Sequence, residues 1–246
     1  MAESKEIISA LLRSVKEDAP AREVCVGAFV TAVWGKRVGM AYTFAPEEPH
    51  ADFTPIPGAG QLVGRSCKEL AEWALSEVPL RSSIGMAALN SLLPIDESQL
   101  EEEDASRILL KTSKGKKVAV VGHFPFVPKL REVAGELWVF EKRPLPGDLP
   151  AEKAEELLPR AEIAVITGSA FVNHTIGRLL ELASGAELVM ILGPTTPLSP
   201  LLFDFGADIL AGSVVTEPEE ALKCIKQGAI FRQVRGVMKV VMRRDA

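Results

Sequence analysis

The spacing of hydrophobic residues changes several times along the chain, and each change marks an element. Over residues 6–14, Ile7, Ile8, Leu11 and Leu12 recur at three- to four-residue spacing, which predicts an amphipathic helix. From 24 to 44 the apolar residues become β-branched and aromatic. Two runs, 24–34 and 37–44, flank Gly35-Lys36 and predict a β-hairpin. A Pro/Gly-rich connection over 45–64 follows, expected as an ordered loop with room for one short strand. Ser66 and Glu69 form a capping-box pair that opens a helix reaching about residue 76. Residues 82–93 are apolar nearly all round, which predicts a buried helix, and Pro94 ends it. This first part reads as a small α+β module.

Residues 96–104 hold six acids and no bases. Such a stretch is a solvated connection, and it sets the expected division into 1–104 and 105–246. Beyond a short helix at 105–114 the pattern alternates. Strand-like runs at 118–122, 137–141, 163–167, 188–192 and 208–210 are separated by helical stretches near 128–134, 152–158, 172–183 and 218–227. A last run at 237–242 reads as an edge strand. Strands alternating with helices require parallel pairing and right-handed crossovers. The fold class is therefore α/β: a Rossmann-like parallel sheet with helices on both faces, preceded by the smaller α+β domain.

Composition narrows the function classes. The chain has 246 residues, 47% of them hydrophobic and 25% charged, with a net charge of −5. No apolar run approaches the ~20 residues of a membrane-spanning helix, so no membrane partner is expected. The charged N-terminus lacks the apolar stretch of a signal peptide. The densest basic cluster, Lys111, Lys114, Lys116 and Lys117, has no aromatic residue interleaved and does not predict nucleic-acid binding. Three cysteines, Cys25, Cys67 and Cys224, are far apart and odd in number, which fits a reducing cytoplasm rather than a disulfide framework. A homodimer is the expectation from base rates.

In a doubly wound sheet, ligands bind beyond the carboxyl ends of the strands, where strand order reverses. The first strand of the second part runs into Gly122-His123-Phe124-Pro125, with one glycine of a dinucleotide-binding loop and prolines where backbone donors would be needed. NAD or FAD is therefore not expected. The second strand ends at Glu141, 19 residues after Gly122, a spacing at which an acid can hold ribose hydroxyls. Arg143 beside it can fork a carboxylate or phosphate. The third strand leads into Thr167-Gly168-Ser169, then Asn173 and His174. A helix starting near 172 would add free N–H groups, making this the best anion or polar-ligand candidate. The fourth strand leads into Gly193-Pro194-Thr195, a proline-stiffened wall. His123 is the candidate acid or base. His123, Glu141 and His174 together make a candidate transition-metal set.

Several stretches resemble a known family: SSIGMAALNSLL (82–93), VGHFPFVPKL (121–130), VFEKRP (139–144), ITGSAFVNHT (166–175), ILGPTTPLSP (191–200) and ILAGSVV (209–215). Their order and spacing, covering most of the chain, resemble the bacterial and archaeal heavy-metal chelation family, a domain of unknown function. The resemblance implies an N-terminal domain like the enolase N-terminal module, a Rossmann-like domain after it, and an active site in the crevice between them. It also brings Asn90 into view. An Asn on an apolar helix needs a hydrogen-bond partner; if that helix faces the crevice, the partner is the ligand. Three readings follow: a protein binding a small polar ligand, a metal or a metal complex; an enzyme acting on a small anionic or nucleotide-like substrate; and a non-catalytic interaction module.

Overall fold

A computed structural model describes residues 3–44 and 54–244. Part of the expected 45–64 loop, residues 45–53, lies outside the described residues. The first helix, α1 (Ser4–Ser14), buries Ile7, Ile8 and Leu11 on the face their spacing predicts. The β-rich run over 24–34 is two strands rather than one, β1 (Glu23–Val26) and β2 (Val30–Trp34). The chain reverses at Gly27, whose N–H bonds the Val30 carbonyl at 3.0 Å. A Cβ there would sit 2.7 Å from that same oxygen, so only glycine fits. β2 then pairs with β3 (Val38–Tyr42) across the expected Gly35 turn, giving a three-stranded antiparallel sheet.

Ser66 accepts the Glu69 N–H at 3.1 Å and opens α2 (Cys67–Ala71), which passes into a 3-10 turn, Glu72–Leu75. The apolar helix α3 (Pro79–Leu92) buries ten of its 14 residues. Its backbone lies directly against the small sheet. A Cβ on Gly39 would be 2.1 Å from the Ala87 carbonyl oxygen, and one on Gly85 would be 1.9 Å from the Ala74 nitrogen.

Asp104 caps α4 (Ala105–Thr112) by accepting the Ser106 N–H at 2.9 Å. The larger part then follows as β4 (Lys117–Val121), α5 (Val127–Val133), β5 (Glu136–Glu141), a two-residue β6 (Leu149–Pro150), α6 (Ala154–Leu157), β7 (Ile163–Thr167), α7 (Ile176–Leu182), β8 (Leu188–Leu192), β9 (Ile209–Val215), α8 (Pro218–Lys226) and β10 (Val237–Arg243). The strand order is β10-β9-β8-β7-β4-β5-β6, parallel throughout except for β10. The order reverses between β4 and β7, which is where a doubly wound sheet opens its ligand crevice.

The central strands are buried on both faces, as a parallel sheet requires. Ile163 and Val165 of β7 join the core under α4 and α5. Ala164 and Ile166 join the opposite core, with α1, α3 and α7. Helix α8 lies chiefly against the small sheet rather than the large one. Its Ala221, Leu222 and Ile225 pack with Val30, Ala32 and Met40 of the small sheet. The small sheet is thus held between α3 and α8, and each half of the chain completes the core of the other.

Two expectations shift in length. The strand expected at 208–210 runs to Val215 because β10 pairs with it along all seven residues. The helix expected from 172 starts only at Ile176; residues Gly168–Phe171 form a 3-10 turn.

Candidate functional site

The glycines at the sheet edge set the geometry. Gly122 has φ +99° and lies against β7: a Cβ on it would come 3.2 Å from the Thr167 Cβ. Gly193, with φ +128°, brings the end of β8 next to Gly168, its ideal Cβ being 3.9 Å from the Gly168 nitrogen. Gly168 in turn leaves no room for a side chain, since a Cβ would meet the Thr196 nitrogen at 2.7 Å. Gly122, Thr167, Gly168 and Gly193 therefore form one continuous edge across β4, β7 and β8. Above it stand two hydroxyls, with Thr167 Oγ1 and Ser169 Oγ 2.9 Å apart.

His123 stands at the end of β4. Its Nδ1 is 2.8 Å from Oδ2 of Asp148, whose side chain is only 1% exposed, while the imidazole keeps 29%. The Leu145 N–H also donates to that carboxylate oxygen, at 3.1 Å. The other oxygen, Asp148 Oδ1, is buried and makes no hydrogen bond among the described residues. Glu141 ends β5 beside this pair. Burial pushes its carboxyl above the ordinary glutamate range, the nearby Asp148 charge adds to the rise, and His123 and Lys142 pull against it. Arg143 is exposed on the loop beyond. The first module reaches this edge at Phe44, whose ring has the Lys142 ammonium 5.9 Å from its centroid.

Three expected site residues serve the join between modules instead. Asn90 donates to the carbonyls of Met40 (2.9 Å) and Thr195 (3.0 Å). Thr195 is 1% exposed, and its hydroxyl oxygen accepts the Tyr42 N–H at 2.8 Å. His174 Nε2 lies 2.8 Å from the Ala74 carbonyl oxygen, and its Nδ1 is 3.7 Å from Glu77. Asn173 closes a local turn, its side-chain oxygen accepting from the Thr175 N–H and hydroxyl. The free N–H groups expected from a helix start at 172 are not there, because residues 168–175 bond among themselves and α7 begins later.

The transition-metal set of His123, Glu141 and His174 is not assembled. His123 turns to Asp148 and His174 to the first module. Among the described residues no three His, Cys, Asp or Glu side chains form a group that could hold a metal ion. The cysteines supply no soft site either: all three are buried and unpaired, and burial raises the Cys25 and Cys67 thiols. The described residues therefore do not fit a resident heavy-metal ion.

Asp148 is the residue at this edge that sequence reading missed. Its signal was a Pro146-Gly147-Asp148 turn just past the β5 acid, with Gly147 at φ +93°. Prolines and glycines suggested only a connection there.

Comparison with known proteins places the chain. Two family models match, DUF4213 over residues 8–93 and DUF364 over 104–244, both described as "putative heavy-metal chelation". A DUF364 protein of unknown function from Desulfitobacterium hafniense has a similar crystal structure, with TM-score 0.84, 28% identity and 98% of each chain covered. Another of unknown function, from Pyrococcus horikoshii, shares the fold at TM-score 0.81, with 24% identity over 97% of this chain and 98% of that one. An uncharacterized protein from Methanocaldococcus jannaschii is 27% identical over 184 residues, 72% of this chain and 71% of its own. With one model spanning more than half its length and the solved structures agreeing over nearly all of it, the chain belongs to the DUF364 family.

Proposed function

We propose that the sheet edge between β4 and β7 binds a small polar molecule carrying an anionic or hydroxylated group, and that His123 exchanges a proton with it. The observation that carries this reading is the His123–Asp148 pair at the strand-order switch. A buried carboxylate at Nδ1 holds the ring still and favours the tautomer with its proton on Nδ1. That leaves Nε2 as the basic nitrogen, and Nε2 has no hydrogen-bond partner among the described residues. Proton transfer requires the substrate within hydrogen-bond reach of that nitrogen. The Thr167 and Ser169 hydroxyls and the close backbone of Gly122, Gly168 and Gly193 give the ligand polar partners on one side. Arg143 supplies positive charge at the rim, and Phe44 of the first module, beside Lys142, bounds the edge from the other side.

The family's heavy-metal description is accommodated by a ligand that brings its metal already coordinated, since the described side chains form no ion site of their own. Three buried thiols without disulfides support a reducing, cytoplasmic setting.

The test is a thermal-shift and calorimetric screen of inorganic phosphate, nucleotides, small carboxylates and chelated metals. One class is expected to raise Tm, with His123→Asn weakening its binding about tenfold or more. Stabilisation by none of these, or by a ligand indifferent to His123→Asn, contradicts the proposal.

A further inference from the structure

Away from that edge, three buried polar atoms share a feature that native interiors avoid. Asn90 Oδ1 on α3, Thr196 Oγ1 on the β8–β9 connection and Ser213 Oγ on β9 make no hydrogen bond among the described residues. A buried polar atom left without a hydrogen bond destabilises the folded state. All three residues line the same cavity of about 20 Å³, between the two modules. Thr196 is only 4% exposed, so bulk solvent does not serve it.

The chemistry of the lining selects the occupant. Both N–H groups of the Asn90 amide are committed to the carbonyls of Met40 and Thr195. Turning the amide over would press its oxygen against two carbonyl oxygens, so Oδ1 is left as a pure acceptor on a residue that lines the cavity. An acceptor repels an anion. Arg37 also lines the cavity and, among the described residues, no carboxylate does, which disfavours a cation. A neutral molecule that both donates and accepts is required. The volume fits one molecule of water, which needs roughly 10–15 Å³ and two to four polar partners.

We infer that a single resident water bridges Asn90, Thr196 and Ser213 and belongs to the join between the modules. It adds a third link to the direct bonds from Asn90 to Thr195 and from Tyr42 to Thr195. That join positions the β8–β9 connection, and with it Gly193. The inference stands on these atoms alone and does not depend on what the sheet edge binds.

A crystal structure of the whole chain at about 1.5 Å or better tests it, with parallel soaks in bromide and in rubidium. One spherical peak is expected within about 2.6–3.2 Å of all three oxygens, with no anomalous signal from either soak. Thr196→Val is expected to remove the peak or displace it. Absence of density in the wild-type cavity, an anomalous bromide or rubidium peak there, or the three side chains turned to pair with one another would each overturn the inference.

Discussion

Individual side chains divide between two tasks, lining the sheet edge and joining the modules. Glu141 belongs to the first. Its folded-state carboxyl titrates above the unfolded value, chiefly through burial and then through Asp148. In the window above the ordinary carboxylate range the folded state therefore holds more proton than the unfolded one, and stability falls as pH rises through the folded value. Glu141→Gln is expected to stabilise the protein at neutral pH by less than about 1 kcal/mol, since solvent screens a half-buried group. The gain should vanish below about pH 4, near the unfolded glutamate value, which thermal melts across pH would show. Asn90 belongs to the second task. Asn90→Ala leaves the carbonyls of Met40 and Thr195 without their partner, an expected loss of about 2–4 kcal/mol by urea unfolding. A loss under about 0.5 kcal/mol would show that these bonds do not hold the join. Sequence reading named Asn90 for its odd chemistry on an apolar helix and could not tell which partner it had. Tertiary contact, invisible to local pattern, decided that for Asn90, Thr195 and His174 alike.

Among elements, close backbone approach is the recurring device. Helix α3 touches the 3-10 turn before it at Gly85 and the small sheet at Gly39. Gly85→Ala must displace the Ala74 backbone, and overpacking of this kind costs roughly 1–3 kcal/mol or more. It is expected to lower Tm clearly, whereas alanine at exposed Gly185, with open space around it, should not. At the sheet edge Gly122→Ala meets both strain at φ +99° and the Thr167 side chain. A cost of about 1–3 kcal/mol is expected, with ligand binding weakened further because the edge itself moves. The parallel strands were legible because their apolar runs are short and bounded by turn residues. Less legible were the split at Gly27, where one glycine reverses a β-rich run, and the late start of α7. There the chain from 168 to 175 bonds to itself, and helical periodicity alone does not show where such a turn ends.

At the scale of the whole molecule, the acidic stretch at 96–104 marks a change of pattern in the chain, but the packing crosses it. One core contains residues from α1, α3, β7 and α7, and α8 covers the outer face of the small sheet. Unfolding is therefore expected as a single transition, with fluorescence and circular dichroism coincident. Residues 1–104 alone would expose the Val30, Ala32 and Met40 surface and are expected to aggregate; a soluble fragment that melts cooperatively would contradict this. The candidate edge was legible because strand ends in a doubly wound sheet announce it. Its chemistry was only half legible, because Asp148 approaches His123 from a loop 25 residues away. The central claim, that ligand meets His123 at this edge, has a direct readout, since the chain has only three histidines. NMR titration of the histidine ring protons, assigned with His123→Asn and His174→Asn, should show a saturable shift of His123 with His174 unmoved. Ligand that shifts His174 alone, or leaves His123 unmoved at saturation, would contradict the account.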